Sequence, residues 1–421
     1  MAPYRNPGGS GTNITKMREK YDRLPRVKPT PALRAEVLAF YEERCLLHSV
    51  EVRPGLVIDL HHIDECSSHT RFENLVPVCK SCNGAFQVDR YKSKPALSGF
   101  LHPDAITVRA REFFSIADYS GSHGCYRLAA HLFATRFRNV PQQLYSLTAS
   151  IGPLRALFEP RLLRYVIIQS QEIFKSLQPQ ELPIYRAAFL SQMGLLLYDF
   201  QEFKEAMEFQ SQAYQLRRKI NKKLVDSELV SQPEDEAQEM ANYARRLAFV
   251  VQDSTKAPKH IRDEALASLD EGISLFERHG NFRGFATNLD VKAYLEIRRF
   301  GYATARTQEF AERALEVELK INNQWVRANH HITLGDFYYS QFKKTPWKRL
   351  KDRAVEELRQ GCDILTKHQI CLEPSPTGGL FRPDIKLIDL GVTDAQRVPE
   401  RGKFPFSKKE LNGILSTVLS R

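Results

Sequence analysis

Residues 45–83, CLLHSVEVRPGLVIDLHHIDECSSHTRFENLVPVCKSCN, decide how the first part of this chain folds. Two pairs of metal-binding side chains bracket the stretch, each with two residues between its members: Cys45 with His48, and Cys79 with Cys82. Three thiolates and one imidazole suit a tetrahedral Zn²⁺ ion, and a gap of two residues lets both members of a pair face one ion. We therefore predict a structural zinc site held by these four side chains.

Two alternatives to this assignment stay open in the sequence. Cys66 and His69 have the same spacing and are an alternative first pair. The Cys79-x-x-Cys82 pair by itself is also typical of a redox site in a cytosolic protein. The presence of another pair at a plausible separation favours zinc.

Four polar side chains lie between and beside these pairs: His61, His62, Asn74 and Asn83. The two histidines begin the run His61-His62-Ile63, and the first asparagine begins the run Asn74-Leu75-Val76. With these residues, in this order and nested in a zinc pattern, the chain resembles the HNH endonuclease family, whose members cut nucleic acid with a small ββα-metal unit. The resemblance covers a small part of the chain. This chain departs from the family pattern at two points. The last motif position is Asn83 rather than the final histidine of the His-Asn-His pattern, and the first zinc pair is Cys-x-x-His rather than Cys-x-x-Cys.

The resemblance implies a role for each polar side chain. His61 and Asn83 would hold a catalytic divalent ion, Mg²⁺ or Mn²⁺, through an imidazole nitrogen and an amide oxygen. His62 is the candidate general base, because a neutral imidazole can take a proton from water near neutral pH. Asn74 would not touch the substrate, and the resemblance implies that it holds the loop so that His62 keeps its orientation.

Both expected ligands of the catalytic ion are neutral, whereas a hard cation such as Mg²⁺ prefers charged oxygen ligands. We therefore expect this ion to bind weakly to the free protein, with the substrate phosphate completing its coordination. An inert zinc ribbon is the alternative. In that case one of the two adjacent histidines would be a core residue, because successive side chains of a strand point to opposite faces.

The chain of 421 residues is long enough for two or three domains. Its net charge of +11 would attract the phosphate backbone of a nucleic acid, although charge alone is weak evidence. No apolar run reaches the ~18 residues of a membrane span, and the first residues lack the apolar segment of a secretory signal. Four of the seven cysteines lie in or beside the zinc pattern, as expected in a reducing compartment. We therefore expect a cytoplasmic protein that does not enter a membrane.

The first part of the chain divides into an arm and a domain. Residues 1–30 are rich in Gly, Pro and basic side chains without a hydrophobic period, which predicts a flexible basic arm. Residues 31–100 are predicted to form the nuclease domain, with a helix over 31–44, strands over 57–60 and 75–78, and a helix over 81–91. Four basic side chains at or near the ends of this last helix are candidate phosphate contacts: Lys80, Arg90, Lys92 and Lys94.

Residues 105–365 have long helical periods and weak internal repeats, which indicate paired helices. The pattern resembles tetratricopeptide repeats with degenerate signatures, in which small residues let two helices cross closely. Four units are predicted. The first contains Gly194, Ala206 and Ala213, and the second covers residues 288–321 and includes Ala314. In the third, a helix over 240–252 precedes Ala265 and Gly272; in the fourth, an inserted loop over 343–349 separates Gly335 from Ala354 and Gly361. Residues 366–421 are predicted to be an extension, non-helical over 366–408, with a terminal helix over 408–419 that seals the array.

These predictions describe a mainly α protein, in which a small N-terminal ββα-metal and zinc-ribbon domain is followed by a tetratricopeptide-like helical array. The expected function is metal-dependent cleavage of DNA, although the motif does not distinguish DNA from RNA. The array would bind a protein partner or a second copy and control cutting, a layout similar to that of prokaryotic defence effectors against phage or plasmid. The alternative function is a non-catalytic, zinc-stabilised adaptor that binds nucleic acid and recruits a protein.

Overall fold

The computed structural model describes residues 27–47, 57–66, 68–90, 101–177, 183–200, 202–226, 247–248, 258–278, 280, 282–300, 304–321, 324–368, 382–395, 397–398 and 404–419. Within these ranges the protein is mostly helical, with fifteen α-helices and one sheet of two strands, as the mainly α class predicted. None of the helices in these ranges is both long enough and apolar enough to cross a bilayer. Most of the predicted basic arm and of the predicted helix over 240–252 lies outside the described residues.

The N-terminal unit is built from α1 (Pro31–Phe40), β1 (Ile58–His62), a 3-10 turn (Phe72–Asn74), β2 (Leu75–Cys79) and α2 (Lys80–Arg90). The two strands pair antiparallel, with His61 opposite Val76 and His62 opposite Leu75. Helix α2 follows β2 without a loop, so the end of the sheet and the first turn of the helix are adjacent. The strands and α2 lie close to the positions predicted from the sequence, with small differences at their ends.

Helix α1 begins where the sequence indicated but ends earlier than the predicted residue 44. The hydroxyl of Thr30 accepts a hydrogen bond from the first turn, and Pro31 fits a position where no backbone donor is needed. After Phe40 the backbone of Glu42 and Glu43 is left-handed, with φ of 54° and 53°. A left-handed backbone cannot continue a right-handed helix, so the chain turns away towards the first cysteine of the zinc pattern.

The rest of the described chain is helical, and its elements are α3 (Pro103–Ser115), α4 (Tyr119–Leu132), a π-helical turn (Phe133–Phe137), α5 (Val140–Leu157), α6 (Pro160–Ser176), α7 (Pro183–Asp199), α8 (Phe203–Asp226), α9 (Lys259–Arg278), α10 (Phe282–Phe300), α11 (Ala305–Ile321), α12 (Gln324–Lys344), α13 (Lys348–Lys367), α14 (Pro383–Asp389) and α15 (Lys408–Leu419). Several helices pack extensively against the next helix in the chain: α4 against α5, α7 against α8, α10 against α11, and α12 against α13. The helical character predicted for this region is therefore confirmed.

Small residues lie where two of these helix pairs touch. A Cβ atom added to Gly194 of α7 would lie 2.7 Å from the Gln210 side chain and 3.2 Å from the Ala206 carbonyl oxygen of α8. A Cβ atom added to Gly361 of α13 would lie 3.2 Å from the Ala328 carbonyl oxygen of α12. The repeat pattern singled out Gly194, Ala206 and Gly361, and close helix packing explains the need for small side chains there.

Two predictions about the last part of the chain were wrong. The inserted loop expected over 343–349 is a short connection, because α12 continues to Lys344 and α13 begins at Lys348. The extension expected to be non-helical over 366–408 contains α14. This helix is held in place because Lys386 forms a buried ion pair with Asp336 of α12.

The terminal helix α15 has the predicted bounds and cap. The Ser407 hydroxyl accepts a hydrogen bond from the Glu410 amide at 3.3 Å, and a Glu410 carboxylate oxygen accepts one from the Ser407 amide at 2.8 Å. These reciprocal bonds form a capping box. The apolar stripe of the helix is buried against α6 and α7, and it consists of Leu411, Ile414, Leu415 and Val418.

The N-terminal unit shares one continuous hydrophobic core with helices α3–α7. The contact with α4 is close, because a Cβ atom added to Gly124 would lie 2.6 Å from the Leu46 side chain and 2.9 Å from that of Tyr41. Beside this contact Arg44 forms an ion pair with Asp118, which caps α4. The unit that holds the zinc pattern is therefore packed directly on the helical region.

Burial determines the charge state of one histidine of the array. His330 of α12 is fully buried, with Asp290 of α10 at 3.9 Å from its Nε2. Burial lowers the pKa of His330 to about 3, and the neighbouring His331 acts in the same direction. A hydrogen bond with the backbone of Ala314 raises the pKa but does not offset these effects. In the unfolded chain the pKa is about 6.5. The contribution of His330 to the free energy of unfolding is therefore fully present above about pH 6.5. It is lost as the pH falls towards 3, because the unfolded state binds a proton that the folded state excludes.

We predict that wild type loses about 1.4 kcal/mol more stability than His330→Gln between about pH 7.5 and about pH 5.5. The measurement is the free energy of unfolding in urea at both pH values. His260→Gln is the control, because His260 lies exposed at the start of α9 and should leave the pH dependence unchanged. An equal loss in His330→Gln and wild type would show that His330 is not held neutral by the fold.

Candidate metal centres

Three cysteine sulfurs from separate elements meet in the N-terminal unit. Cys45 follows α1, Cys79 ends β2, and Cys82 lies in the first turn of α2. Their Sγ atoms all lie within 4.8 Å of one another, and those of Cys45 and Cys82 are 3.9 Å apart. Around tetrahedral Zn²⁺ with Zn–S bonds of about 2.3 Å, two sulfurs are about 3.8 Å apart, so this spacing fits the ion. All three sulfurs are buried, as in a structural metal site.

The close contact of these sulfurs affects the protonation of Cys82. The hydrogen bond with Cys45, and then burial, raises the pKa of the Cys82 thiol far above its ordinary value. Crowded buried sulfurs cannot ionise together without a positive charge among them. A divalent ion would supply that charge and bind the sulfurs as thiolates.

The structure brings Cys45, rather than Cys66, to the second cysteine pair. The Sγ atom of Cys66 is 3.0 Å from Ser68 Oγ, and His69 Nδ1 is 2.7 Å from Asp64 Oδ2. Within the described part of the chain, the three sulfurs are the only cluster of His, Cys, Asp or Glu side chains spaced to hold a metal ion. His48, the predicted fourth ligand, lies outside the described residues.

A second pair of donor atoms meets beside the sheet. The Nδ1 atom of His61 on β1 lies 3.2 Å from the Oδ1 atom of Asn83 on α2. Adjacent ligands of an octahedral ion with bonds of about 2.1 Å are about 3.0 Å apart, so the distance between these two atoms fits Mg²⁺ or Mn²⁺. Both ions prefer oxygen ligands, and here only Asn83 offers an oxygen. The His61 ring stacks on Phe86, with centroids 4.5 Å apart. Burial lowers the pKa of His61 to about 4, against the hydrogen bond in which Nδ1–H donates to Asn83 Oδ1, so the imidazole is neutral near neutral pH. To bind an ion through Nδ1, the ring would have to carry its proton on Nε2 instead.

Asp59 orients the amide of Asn83. Its carboxylate accepts a hydrogen bond from Asn83 Nδ2 over 3.4 Å, which leaves Asn83 Oδ1 directed at His61. A carboxamide offers a metal its oxygen but not its NH₂ group, so this contact selects the useful atom. Asp59 was not among the residues predicted from the sequence, although its position two residues before His61 places both side chains on one face of β1 and could have indicated it.

Asn74 ties together the loop that follows His62. Its Oδ1 accepts a hydrogen bond from the Asp64 amide at 3.1 Å. Its Nδ2 donates to Asp64 Oδ1 at 2.7 Å and to the His69 carbonyl oxygen at 2.9 Å. The side chain is buried, so these three bonds are shielded from water. This geometry suits the loop-holding role that the resemblance implies for Asn74.

The ring of His62 contacts the same loop. Its Nε2 atom lies 2.9 Å from the hydroxyl oxygen of Thr70. Partial burial lowers the pKa of His62, with His69 acting in the same direction and Asp64 opposing it. A lowered pKa keeps the imidazole neutral near neutral pH, which is the state that a general base needs. The sequence analysis did not single out Thr70, and no local pattern marks it.

The predicted phosphate contacts are only partly within the described residues. Lys80 is exposed at the start of α2, whereas the Arg90 side chain, Lys92 and Lys94 lie outside them. A partly buried ion pair that the sequence did not indicate joins Glu65, in the loop after His62, to Arg136 of the π-helical turn at 2.6 Å. The loop beside the candidate site is therefore linked to the helical region.

Comparisons with known proteins do not assign the chain to a family. No protein-family model and no curated protein matches it. Among solved structures, a similar chain is BtubC (BKLC) from P. vanneervenii, with 17% sequence identity and a TM-score of 0.37 over 58% of this chain and 89% of that chain. A likeness this weak says nothing about the N-terminal unit or about function.

We predict that Cys79→Ser loses bound zinc and unfolds the N-terminal unit, because a unit this small depends on the metal for its fold. Zinc content by elemental analysis and circular dichroism measure the two effects. Cys66→Ser is the matched control, since Cys66 is a buried cysteine of the same unit outside the sulfur cluster, and it should retain zinc. A folded, zinc-loaded Cys79→Ser variant would refute the structural-zinc assignment.

Proposed function

We propose that this protein is a metal-dependent endonuclease of the HNH type that cuts DNA with its N-terminal unit. The observation that carries the proposal is the approach of His61 Nδ1 and Asn83 Oδ1 to 3.2 Å, directly beside His62 on the same strand. The sulfur cluster and the loop held by Asn74 supply the rigid surroundings that such a site requires. The net charge of +11 suits a polyanionic substrate.

Each residue has one task in the proposed reaction. His61 and Asn83 would hold Mg²⁺ or Mn²⁺, which would supply positive charge beside the oxyanion that develops during phosphodiester cleavage. His62, neutral near physiological pH, takes a proton from the attacking water. Asn74 holds the loop that His62 contacts, and Asp59 keeps the oxygen of Asn83 directed at His61.

The helical array is the proposed control element of this cytoplasmic nuclease. The N-terminal unit shares its core with α3–α7, and the Glu65–Arg136 ion pair joins the loop beside the site to these helices. A protein partner or a second copy bound to the array would therefore act on helices that touch the nuclease unit. An effector that cuts phage or plasmid DNA after such a signal fits this arrangement.

The ligand set predicts weak binding of the catalytic ion before substrate arrives, because neither His61 nor Asn83 is charged. In calorimetric titration with Mn²⁺, the zinc-loaded wild type should bind more weakly than micromolar. Asn83→Asp places a charged oxygen at the same point and should bind Mn²⁺ about tenfold more tightly or better. His61→Ala should bind none at this site. Micromolar binding by wild type, or no gain in Asn83→Asp, would contradict the ligand assignment.

We predict that His62→Ala nicks plasmid DNA in Mn²⁺ at least about a hundredfold more slowly than wild type, which is the size of a general base's contribution. Its zinc content and circular dichroism should be unchanged. His260→Ala, which alters an exposed histidine of α9, should cut like wild type.

The same assay separates the alternatives. Equal residual cutting by wild type and His62→Ala would indicate a contaminating nuclease. DNA binding without cutting under any metal would favour the non-catalytic adaptor. A parallel incubation with RNA would show which backbone is cut.

A further inference from the structure

The hydroxyl group of Thr70 lies between the proposed general base and the segment before α1. Its oxygen is 2.9 Å from His62 Nε2 and 2.6 Å from the carbonyl oxygen of Val27. The carbonyl oxygen of Val27 can only accept a hydrogen bond, so the single hydroxyl proton of Thr70 is donated to it. Thr70 therefore accepts a hydrogen bond from His62, and Nε2 of His62 carries a proton.

This direction determines the form of the neutral imidazole. A neutral histidine has one N–H group, and here it is on Nε2, so the lone pair is on Nδ1. Only the nitrogen with the lone pair can take a proton from water. If Thr70 were replaced by a residue without a hydroxyl group, nothing at this position would favour one tautomer over the other.

We propose that Thr70 is a positioning residue, which uses the Val27 carbonyl group to hold His62 as the Nε2–H tautomer with Nδ1 available as the base. The inference rests on the proposed nuclease function for its consequence but not for its geometry. It extends the site beyond the two strands and the helix, because Val27 precedes α1 in the chain. The contact uses only the backbone of Val27, whose side chain is 46% exposed.

Three substitutions separate this role from a merely structural one. Thr70→Val keeps the shape of the side chain but removes the hydroxyl group. Thr70→Ser keeps the hydroxyl group. Val27→Ala is the matched control, because it leaves the carbonyl group in place while changing an exposed side chain. If Thr70→Val loses its zinc, Thr70→Ala takes its place, since the smaller side chain cannot crowd the loop.

The first measurement does not depend on activity. Nitrogen-15 NMR of the full-length, zinc-loaded protein with labelled histidine distinguishes the two neutral tautomers, and His62→Gln identifies the His62 signals. We expect the Nε2–H form in wild type, Thr70→Ser and Val27→Ala, and a mixture or the Nδ1–H form in Thr70→Val. The Nδ1–H form in wild type, or an unchanged tautomer in Thr70→Val, would overturn the proposal.

The second measurement is the rate of plasmid cleavage. Thr70→Val should lower kcat by about 10- to 100-fold with little change in KM, which is the usual effect of losing a partner that orients a functional histidine. Thr70→Ser should restore kcat to within about threefold of wild type. A shifted tautomer with an unchanged kcat would overturn the positioning role while the nuclease assignment stands. If wild type does not cut under any metal, the proposed function fails, and the NMR result alone decides the contact.

Discussion

Three buried sulfurs hold together elements that are too short to be stable by themselves. An isolated pair of five-residue strands is marginal in water, and α2 is only about three turns long. The sulfur cluster joins the turn after α1, the end of β2 and the start of α2 at one point. The candidate site depends on this junction, because Asn83 follows Cys82 directly in the chain. Fixing the first turn of α2 against the sheet is what places the Asn83 amide beside His61.

The second constraint is the packing of this unit on the helices. Gly124 of α4 admits Leu46 and Tyr41 so closely that no larger residue fits there without a shift. Together with the Arg44–Asp118 pair, this makes the unit part of a common core rather than a module with a core of its own. A change in the position of α4 would therefore be felt within the N-terminal unit. That continuity is the physical reason for proposing that the helical region controls the site.

The proposed catalytic site has neutral ligands, and its order comes from the groups around them. Asp59 selects the amide atom that faces His61, Asn74 closes the loop, and Thr70 contacts the ring of His62. Such a site is held by hydrogen bonds before any ion is present, and we expect it to attract a cation only weakly. A charged substrate phosphate would then help to recruit the ion, which ties metal binding to the presence of nucleic acid. This property suits a nuclease that must be inactive in the absence of its target.

Features that depend on neighbouring residues could be predicted from the amino-acid sequence. Strand and helix positions, the Ser407 cap and the cysteine pair before Asn83 all follow from patterns within a few residues, because backbone bonding and side-chain spacing act over that distance. Small residues such as Gly194 were also recognisable, since close helix crossings exclude larger ones.

The choice between Cys45 and Cys66 required the folded structure. Both pairs have the same spacing, so the choice depends on which sulfur the fold brings to Cys79 and Cys82. The helix α14, the Glu65–Arg136 pair and the approach of Val27 to Thr70 are likewise contacts between distant parts of the chain. No local pattern encodes them, because each results from the packing of separate elements around a shared core.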